Sequence, residues 1–295
     1  MTPNPVLRKL GFSNSDRVAI IHADDVGMCQ ATVQAYAELE AFGLVSCGAV
    51  MMPCPWALEA GRYARENPQA DLGVHLTLTC EWQYYRWGPI STRDPASGLM
   101  DAEGFFPRKS REVQETADPQ AARRELEAQI ARARAVGIPV THLDTHMGSI
   151  VHPKLLDHYI ELGVSTRTPL MLYRWDAATL QGLGLDAATA EGAAQMLKGL
   201  EAQGFPLLDH MSTIHLDKPD QRFEQAKAAF AAMQPGITHF IIHPAADTPE
   251  LRAISPDYRA RVEDYRTFLR EDLREAIQAM GVQVIGYRKL WELLN

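Results

Sequence analysis

The sequence predicts an α/β fold, a single distorted (β/α) barrel of seven or eight parallel strands. Short apolar runs rich in β-branched residues alternate with longer segments of helical periodicity along most of the 295 residues. This alternation is typical of a parallel sheet with crossover helices. Histidine and aspartate motifs follow several of the apolar runs, at the strand ends where barrel enzymes carry their chemistry. No Gly-x-Gly-x-x-Gly motif follows a predicted strand, which argues against a dinucleotide-binding sheet.

The first half of the chain contains four predicted strands and three predicted helices. The strands are short apolar runs at Arg17–His22, Val45–Met51, Leu72–Leu78 and Thr141–Asp144. The helices repeat apolar residues every three or four positions and span Gln30–Phe42, Pro55–Glu66 and Pro119–Ala135. Gly43 directly follows the first helix as a C-cap, and Pro55 stands near the first turn of the second, where its missing N–H is tolerated.

The second half of the chain continues the same alternation. Helical periodicity predicts helices at Pro153–Leu162, Ala187–Gln203, Gln221–Met233 and Pro256–Met280, with one more at the C-terminus. Apolar runs predict strands at Leu170–Tyr173, Leu207–Asp209, Ile237–Ile242 and Val282–Ile285. Seven or eight such units favour a closed or nearly closed barrel over an open sheet.

One irregular region, about residues 80–116, is predicted to be a loop inserted into a single domain that spans residues 1–295. A loop of this length within a compact domain is usually functional. Because the region follows the third strand, we expect it to lie over the same barrel face as the polar motifs. Its clustered aromatic side chains either pack within the loop or stack on sugar rings, and the candidate substrate-binding residues are Trp82, Tyr84, Tyr85 and Trp87.

The composition is that of an ordinary soluble globular protein, with 46% hydrophobic and 22% charged residues. The net charge of −8 and the lack of a Lys/Arg-rich run argue against a nucleic-acid partner. The four cysteines lack the paired spacing of a zinc knuckle and are typical of free thiols in a reducing compartment. No apolar stretch approaches the length of a membrane span or forms a signal sequence, so we expect a cytoplasmic protein with no membrane partner.

Asp24 and Asp25 follow the end of the first predicted strand. Neighbouring residues at a strand end point in different directions, so one carboxylate can bind a metal ion while the other faces the reacting water. An isolated pair of this kind is more often a helix N-cap. The other polar motifs at strand ends favour the metal interpretation.

Three ionisable residues, His142, Asp144 and His146, recur at every second position around the fourth predicted strand. On an extended strand all three side chains face one side. Each would be costly to bury unless it is paired, so a purely structural role explains them poorly. One imidazole could bind a metal ion while the carboxylate or the second imidazole orients it.

The remaining strand histidines are less decisive. His75 interrupts an apolar strand, where a lone histidine is usually a hydrogen-bonded core residue and less often a metal ligand. His239 and His243 face the same side of a later strand. His243 stands at the strand end, before Pro244, and is the better placed for function, whereas we expect His239 to be structural.

Together these motifs resemble the YdjC-like carbohydrate deacetylase family, which includes chitooligosaccharide deacetylases. The similar segments hold their order over roughly residues 17–290 and are His22-Ala23-Asp24-Asp25-Val26-Gly27, Gly73-Val74-His75-Leu76, Thr141-His142-Leu143-Asp144-Thr145-His146 and Ile242-His243-Pro244. The family usually has Asn-Ala-Asp-Asp-Phe-Gly at the first segment. After His146 this chain has Met147-Gly148-Ser149, where many family members carry further histidines.

The resemblance implies a distorted barrel that binds one divalent metal ion through Asp25, His75 and His146. Two imidazoles with one carboxylate favour zinc or another transition metal, and magnesium remains an alternative. The substrate class implied is a small acetylated carbohydrate, and a homodimer is a family-level expectation.

The resemblance also implies roles around the metal. Asp24 would be the general base that takes a proton from metal-activated water, and His243 the general acid or a substrate contact. Asp144, with His142, would lie behind the ligands and orient them. The predicted reaction is hydrolytic removal of an N-acetyl group from an amino sugar or oligosaccharide.

Two other functions remain open on the residues alone. A different metal-dependent hydrolase, an amidohydrolase or a phosphoesterase, would be expected to hold two metal ions with Asp24 and Asp144 both acting as ligands. A sugar-binding protein that kept the barrel without turnover is the second alternative. A metal count separates the first from a one-metal deacetylase, and an activity assay tests the second.

Overall fold

A parallel sheet forms the centre of the protein in a computed structural model that describes residues 3–295. The seven strands are β1 (Arg17–Val26), β2 (Cys47–Val50), β3 (Leu72–Leu76), β4 (Leu143–Thr145), β5 (His210–Thr213), β6 (Gly236–Ile242) and β7 (Val282–Val284). Six of them lie side by side in the order β4, β3, β2, β1, β6, β5, and β7 also pairs with β1. Because the pairings of these strands are parallel, their carboxyl ends lie along one edge of the sheet.

Helices follow most of the strands, as expected for crossover connections. They are α1 (Pro5–Lys9), α2 (Gln30–Phe42), α3 (Ala57–Glu66), α4 (Ser110–Thr116), α5 (Pro119–Ala135), α6 (Pro153–Ser165), α7 (Ala177–Gly182), α8 (Ala187–Ala202), α9 (Arg222–Ala231), α10 (Pro249–Ile254), α11 (Tyr258–Phe268), α12 (Glu271–Ala279) and α13 (Tyr287–Glu292). Two short 3₁₀ segments lie at Pro95–Ser97 and His146–Gly148.

The prediction of an α/β fold with a parallel sheet is confirmed, but a continuous barrel of seven or eight strands is not. The six strands form a curled half-barrel. Within the described residues, the chain between β4 and β5 contributes only two single bridges, Leu143 to Leu170 and Tyr173 to Leu208. The run predicted as a strand at Leu170–Tyr173 does not stay extended. The Leu172 N–H bonds back to the Leu170 carbonyl at 2.8 Å, a tight turn that interrupts the ladder.

Strand β1 is longer than predicted and carries an irregularity near its end. The pairing with β2 shifts register between Ala23 and Val26, so the last residues of β1 form a bulge. A bulge bends a strand and re-aims the side chains beside it. Asp24 and Asp25 lie within this bulge, at the carboxyl edge of the sheet.

Helices with strong local signals begin and end where predicted. Helix α2 spans the predicted residues and ends at Gly43, whose φ of 82° suits a residue without Cβ. Helix α5 begins after Asp118, which caps it by accepting from the Ala121 N–H. The long helix predicted at Pro256–Met280 is wrong, because the chain forms two helices, α11 and α12, with Arg270 in an extended conformation between them.

The region 80–116 contains the 3₁₀ segment Pro95–Ser97 and helix α4. A buried carboxylate on α5 binds this region to the rest of the protein. Glu125 on α5 accepts hydrogen bonds from the Ile90 and Ser91 backbone N–H groups at 3.1 and 2.8 Å. The start of the region lies at the carboxyl edge of the sheet, where Glu81 Oε2 is 3.0 Å from His146 Nε2. Within residues 3–295, no helix is both long enough and apolar enough to cross a membrane.

Candidate active site

Asp25 occupies a strained backbone position at the end of β1. Its φ of 62° lies in the left-handed region, which costs a non-glycine residue about 1–3 kcal/mol unless neighbouring contacts compensate. The compensation comes from Arg261 on α11, which donates to Asp25 Oδ2 at 2.7 Å, both side chains being buried. This contact holds the carboxylate with its other oxygen, Oδ1, directed toward two histidines.

Asp25, His75 and His146 form a buried cluster of three potential metal ligands. Asp25 Oδ1 lies 3.4 Å from His75 Nε2 and 3.1 Å from His146 Nδ1. From residues 3–295 it accepts no hydrogen bond of good geometry, which is unusual for a buried carboxylate oxygen. One carboxylate oxygen and two imidazole nitrogens converging in this way are a donor set suited to a divalent transition metal.

Each imidazole of the cluster is held from behind by a carboxylate. Asp144 Oδ1 lies 2.7 Å from His75 Nδ1, and Glu81 Oε2 lies 3.0 Å from His146 Nε2. Such partners fix the ring orientation and leave the opposite nitrogen free to bind a metal ion. Asp144 thus lies beside His75, and its role in orienting a metal ligand stays a prediction, whereas Glu81 was not identified from the sequence.

The charges of these neighbours shift the pKa values of the cluster. Burial alone would lower the pKa of His146, but Glu81 and Asp25 outweigh it and raise that pKa to about 9. Burial opposes ionisation of Asp25, yet the charges of Arg261 and His146 hold its pKa well below the ordinary value. A metal ion would therefore compete with protons for the histidines but would meet an ionised carboxylate.

Asp24 lies next to this cluster without belonging to it. Its Oδ1 is 2.6 Å from His22 Nδ1, and its Oδ2 is 3.8 Å from His75 Nε2 and 3.7 Å from His243 Nε2. Burial would raise the pKa of Asp24, but the charges of His75 and His22 outweigh burial and keep that pKa below its usual range. The carboxylate is thus ionised, with Oδ1 bonded to His22 and Oδ2 facing His75 and His243.

His243 follows the end of β6 and lies beside Asp24, with its Nε2 3.7 Å from Asp24 Oδ2. Its backbone N–H donates to Asp264 at 3.0 Å, and Arg222 donates to the same carboxylate at 2.6 Å, so α9 and α11 position the end of β6. The side chain is 20% exposed, and Nε2 is the atom nearest Asp24. An imidazole in this position can reach a substrate bound over the cluster.

His142 and His239 lie outside the cluster, with ring centroids 4.9 and 4.7 Å from that of His22. His142 Nε2 lies 2.7 Å from His22 Nε2, and His239 Nδ1 lies 2.9 Å from the Tyr287 hydroxyl. Both rings are fully buried. The ring nitrogens of His142 thus approach His22 and not the three candidate ligands, so its predicted role behind the ligands stays a prediction.

A second group of potential ligands lies next to the first, which it contacts through Asp144 and His75. It comprises His22, Asp24, Asp144 and His239. Both nitrogens of His22 already have hydrogen-bond partners, and one oxygen of Asp144 is bonded to His75. Fewer donor atoms are therefore free in this group than in the cluster of Asp25, His75 and His146.

Three of the four candidate aromatic residues line a cleft of about 600 Å³ beside the cluster. Tyr84 is 88% exposed at its rim, and Trp82 and Tyr85 form the wall next to Glu81. Trp87 does not line the cleft: its ring is buried and its indole N–H donates to the Thr79 carbonyl at 2.8 Å. Substrate binding by these aromatic residues stays a prediction, and the geometry makes Tyr84 and Tyr85 the accessible pair.

Replacing Arg261 by methionine is expected to lower the free energy of unfolding by about 3 kcal/mol. The change leaves the buried Asp25 carboxylate without its strongest cationic partner, and unpaired buried charges are costly. Urea unfolding at neutral pH measures the effect. Arg252→Met is the matched control, because that arginine pairs with Asp247 on the surface and its loss should change little. Equal stability of the two variants would contradict the anchoring role.

Comparison with known proteins identifies the family to which the chain is similar. The model of the YdjC-like protein family matches residues 18–279. A carbohydrate deacetylase of Thermus thermophilus is 31% identical over 281 residues, covering 92% of this chain and 93% of the relative. A carbohydrate deacetylase of Thermoanaerobacter pseudethanolicus is 23% identical over 268 residues, covering 91% and 97%.

A solved structure shares the fold. The crystal structure of a proposed cellobiose-phosphate cleavage protein from Enterococcus faecalis superposes with a TM-score of 0.73 at 24% identity, covering 94% of this chain and 99% of the other. At this level of identity the likeness concerns the fold alone.

Proposed function

Since the chain belongs to the YdjC-like protein family, we propose that it is a carbohydrate deacetylase that hydrolyses the acetamido group of an N-acetylated sugar with the aid of one divalent metal ion. One observation carries the metal part of the proposal. Among residues 3–295, Asp25 Oδ1 is buried without a hydrogen bond of good geometry, and it faces one ring nitrogen each of His75 and His146. The other ring nitrogen of each histidine contacts a carboxylate.

Asp25, His75 and His146 are the residues that would hold the ion. When bound, a divalent ion supplies two effects that amide hydrolysis needs, a lower pKa for a coordinated water and polarisation of the substrate carbonyl. The three donor atoms come from a bulge, a strand and a 3₁₀ segment at one sheet edge. Three protein ligands would leave coordination positions of the ion for water and substrate.

Asp24 and His243 supply the proton transfers. The water adds to the acetyl carbon, and its proton passes to Asp24 Oδ2, the carboxylate oxygen not bonded to His22. As the C–N bond breaks, His243 Nε2 gives a proton to the departing amine. The products are acetate and a free amino sugar. Asp24 Oδ2 lies 3.7 Å from His243 Nε2, so both groups can transfer protons at the same amide bond.

The cleft beside the cluster is the proposed sugar site. Tyr84 and Tyr85 present aromatic surface next to Glu81, so an apolar sugar face could stack there while the acetamido group points toward Asp24. Tyr85 is also tied to the site, because its hydroxyl donates to the Met28 carbonyl just beyond the β1 bulge. A small carbohydrate is the expected substrate.

Replacing Tyr84 by alanine is expected to raise KM for an acetylated oligosaccharide about 2- to 10-fold with little change in kcat. The estimate corresponds to the loss of one ring contact outside the reacting centre. Steady-state kinetics of acetate release provide the measurement. Tyr84→Phe keeps the ring and should behave as the wild type, and an unchanged KM in Tyr84→Ala would remove Tyr84 from the sugar site.

The proposed function is tested by measuring acetate released from a panel of N-acetylated mono- and oligosaccharides, with and without a chelator. Chelator-sensitive release, with one ion per chain by elemental analysis, would support a one-metal deacetylase. Two ions per chain with phosphoester cleavage would favour the two-metal alternative through the second ligand group. Sugar binding without any turnover would point to a silent binding protein.

A further inference from the structure

A line of hydrogen bonds crosses the interior of the curled sheet and ends on Asp24. From Asp24 Oδ1 it runs 2.6 Å to His22 Nδ1, and from His22 Nε2 2.7 Å to His142 Nε2. His142 Nδ1 lies 3.0 Å from the Thr141 hydroxyl, which donates to Asp71. All five side chains are buried.

The far end of the line sets the direction of its hydrogen bonds. Asp71 Oδ2 accepts from the Arg288 backbone N–H at 2.6 Å, and burial raises the pKa of Asp71 to about 6, so at neutral pH the carboxylate only accepts. The single Thr141 proton is therefore given to Asp71. The Thr141 oxygen must accept in turn, so the Nδ1 of His142 carries a proton.

The direction then propagates to Asp24. Burial lowers the pKa of His142 well below its usual value, so the ring is neutral and its Nε2 accepts from His22 Nε2–H. A carboxylate oxygen and a bare imidazole nitrogen cannot approach to 2.6 Å without a proton between them. The Nδ1 of His22 therefore donates to Asp24 as well.

The His22 ring has little freedom to leave this arrangement. It packs against His239 at a centroid distance of 4.7 Å and meets the edge of His142 at 4.9 Å. His142 is stacked on Tyr287 with centroids 4.1 Å apart. These rings fix the position from which His22 donates.

We propose that His22 is a positioning residue for the reaction: it fixes the Asp24 carboxylate through Oδ1 so that Oδ2 is presented to the reacting water, and His142, Thr141 and Asp71 hold His22 in place. This inference rests on the proposed function, in which Asp24 is the general base. His22 does not touch substrate and does not belong to the cluster of Asp25, His75 and His146.

Orientation of a general base matters because proton transfer requires a short, aligned contact. A misplacement of about 1 Å can reduce the rate about 100-fold, and groups that orient active-site residues typically contribute about 10- to 100-fold. Without the His22 bond, Asp24 could rotate and direct either oxygen toward His75 or toward His243, whose Nε2 atoms lie 3.8 and 3.7 Å from Oδ2.

The kinetic test compares His22→Leu with His22→Asn in the metal-loaded protein. Leucine removes the donor, whereas the asparagine amide nitrogen is attached at the same distance from Cβ as Nδ1 and can still donate to Asp24. We expect His22→Leu to lower kcat about 10- to 100-fold with unchanged KM and one bound metal ion, and His22→Asn to restore most of kcat. Full kcat in His22→Leu, or equal loss in both variants, would overturn the proposal.

NMR detection of the histidine ring protons distinguishes failure of this proposal from failure of the proposed function. In zinc-loaded protein labelled with ¹⁵N-histidine, we expect protons on both ring nitrogens of His22 and only on Nδ1 of His142. If these signals are present but no sugar releases acetate, the deacetylase assignment fails while the hydrogen-bonded line stands. If acetate is released but Nδ1 of His22 carries no proton, the positioning proposal fails and the function stands.

Discussion

Replacement of Asp24 by asparagine is expected to lower kcat for acetate release by about 100- to 10,000-fold, the contribution of a positioned general base. Asparagine has nearly the same shape and can still accept from His22 Nδ1, so the local structure should persist. The amide cannot take a proton from water. Because Asp24 is not one of the three converging ligands, the variant should still bind one metal ion.

Steady-state kinetics and elemental analysis of the same samples measure this result. Asp217→Asn is the control, because Asp217 is exposed and is not one of the candidate site residues. The kcat and metal content of this variant should match those of the wild type. An Asp24→Asn protein that keeps wild-type kcat would exclude Asp24 as the base. A variant that loses its metal ion would show that Asp24 is a ligand.

The adjacent substitution, Asp25→Asn, is expected to abolish stoichiometric metal binding and to reduce acetate release by about 1,000-fold. The amide lacks the negative charge that faces His75 and His146, and a metal ion contributes several kcal/mol to the transition state. The amide oxygen can still accept from Arg261, so the fold should survive the change.

The two neighbouring variants serve as controls for each other. Asp24→Asn should lose turnover and keep the ion, and Asp25→Asn should lose both. Metal content is measured after dialysis against a defined zinc concentration, with circular dichroism to verify folding. If Asp25→Asn retains one ion per chain, the metal site would be assigned instead to the group of His22, Asp24, Asp144 and His239.

Local signals account for the elements that were predicted well. Helix α2 ends at a glycine and α5 begins at a capping aspartate before proline, and both occupy the predicted residues. Strand β6 is a β-branched apolar run and differs from its prediction by one residue. Each signal acts within a few residues of the element it defines, so no knowledge of the fold is needed to find it.

Elements that depend on distant contacts were predicted poorly. Nothing in the sequence near Leu269 and Arg270 breaks a helix, yet the chain divides there into α11 and α12. The buried Phe268, packed near Phe230 and Phe240, ends α11 against the neighbouring helix and strand. Packing of this kind outweighs helix propensity, which is a weak preference at each residue.

The sequence by itself determined the chemistry available to this protein. Motifs of aspartate and histidine after apolar runs place Asp25, His75 and His146 at strand ends. Parallel pairing then brings these strand ends together. The tertiary structure alone decided how those groups are held. Arg261 lies 236 residues from Asp25 along the chain and Glu81 lies 65 residues from His146. Such partners carry no local signature, because a buried charge requires a counter-charge nearby in space and not nearby in sequence.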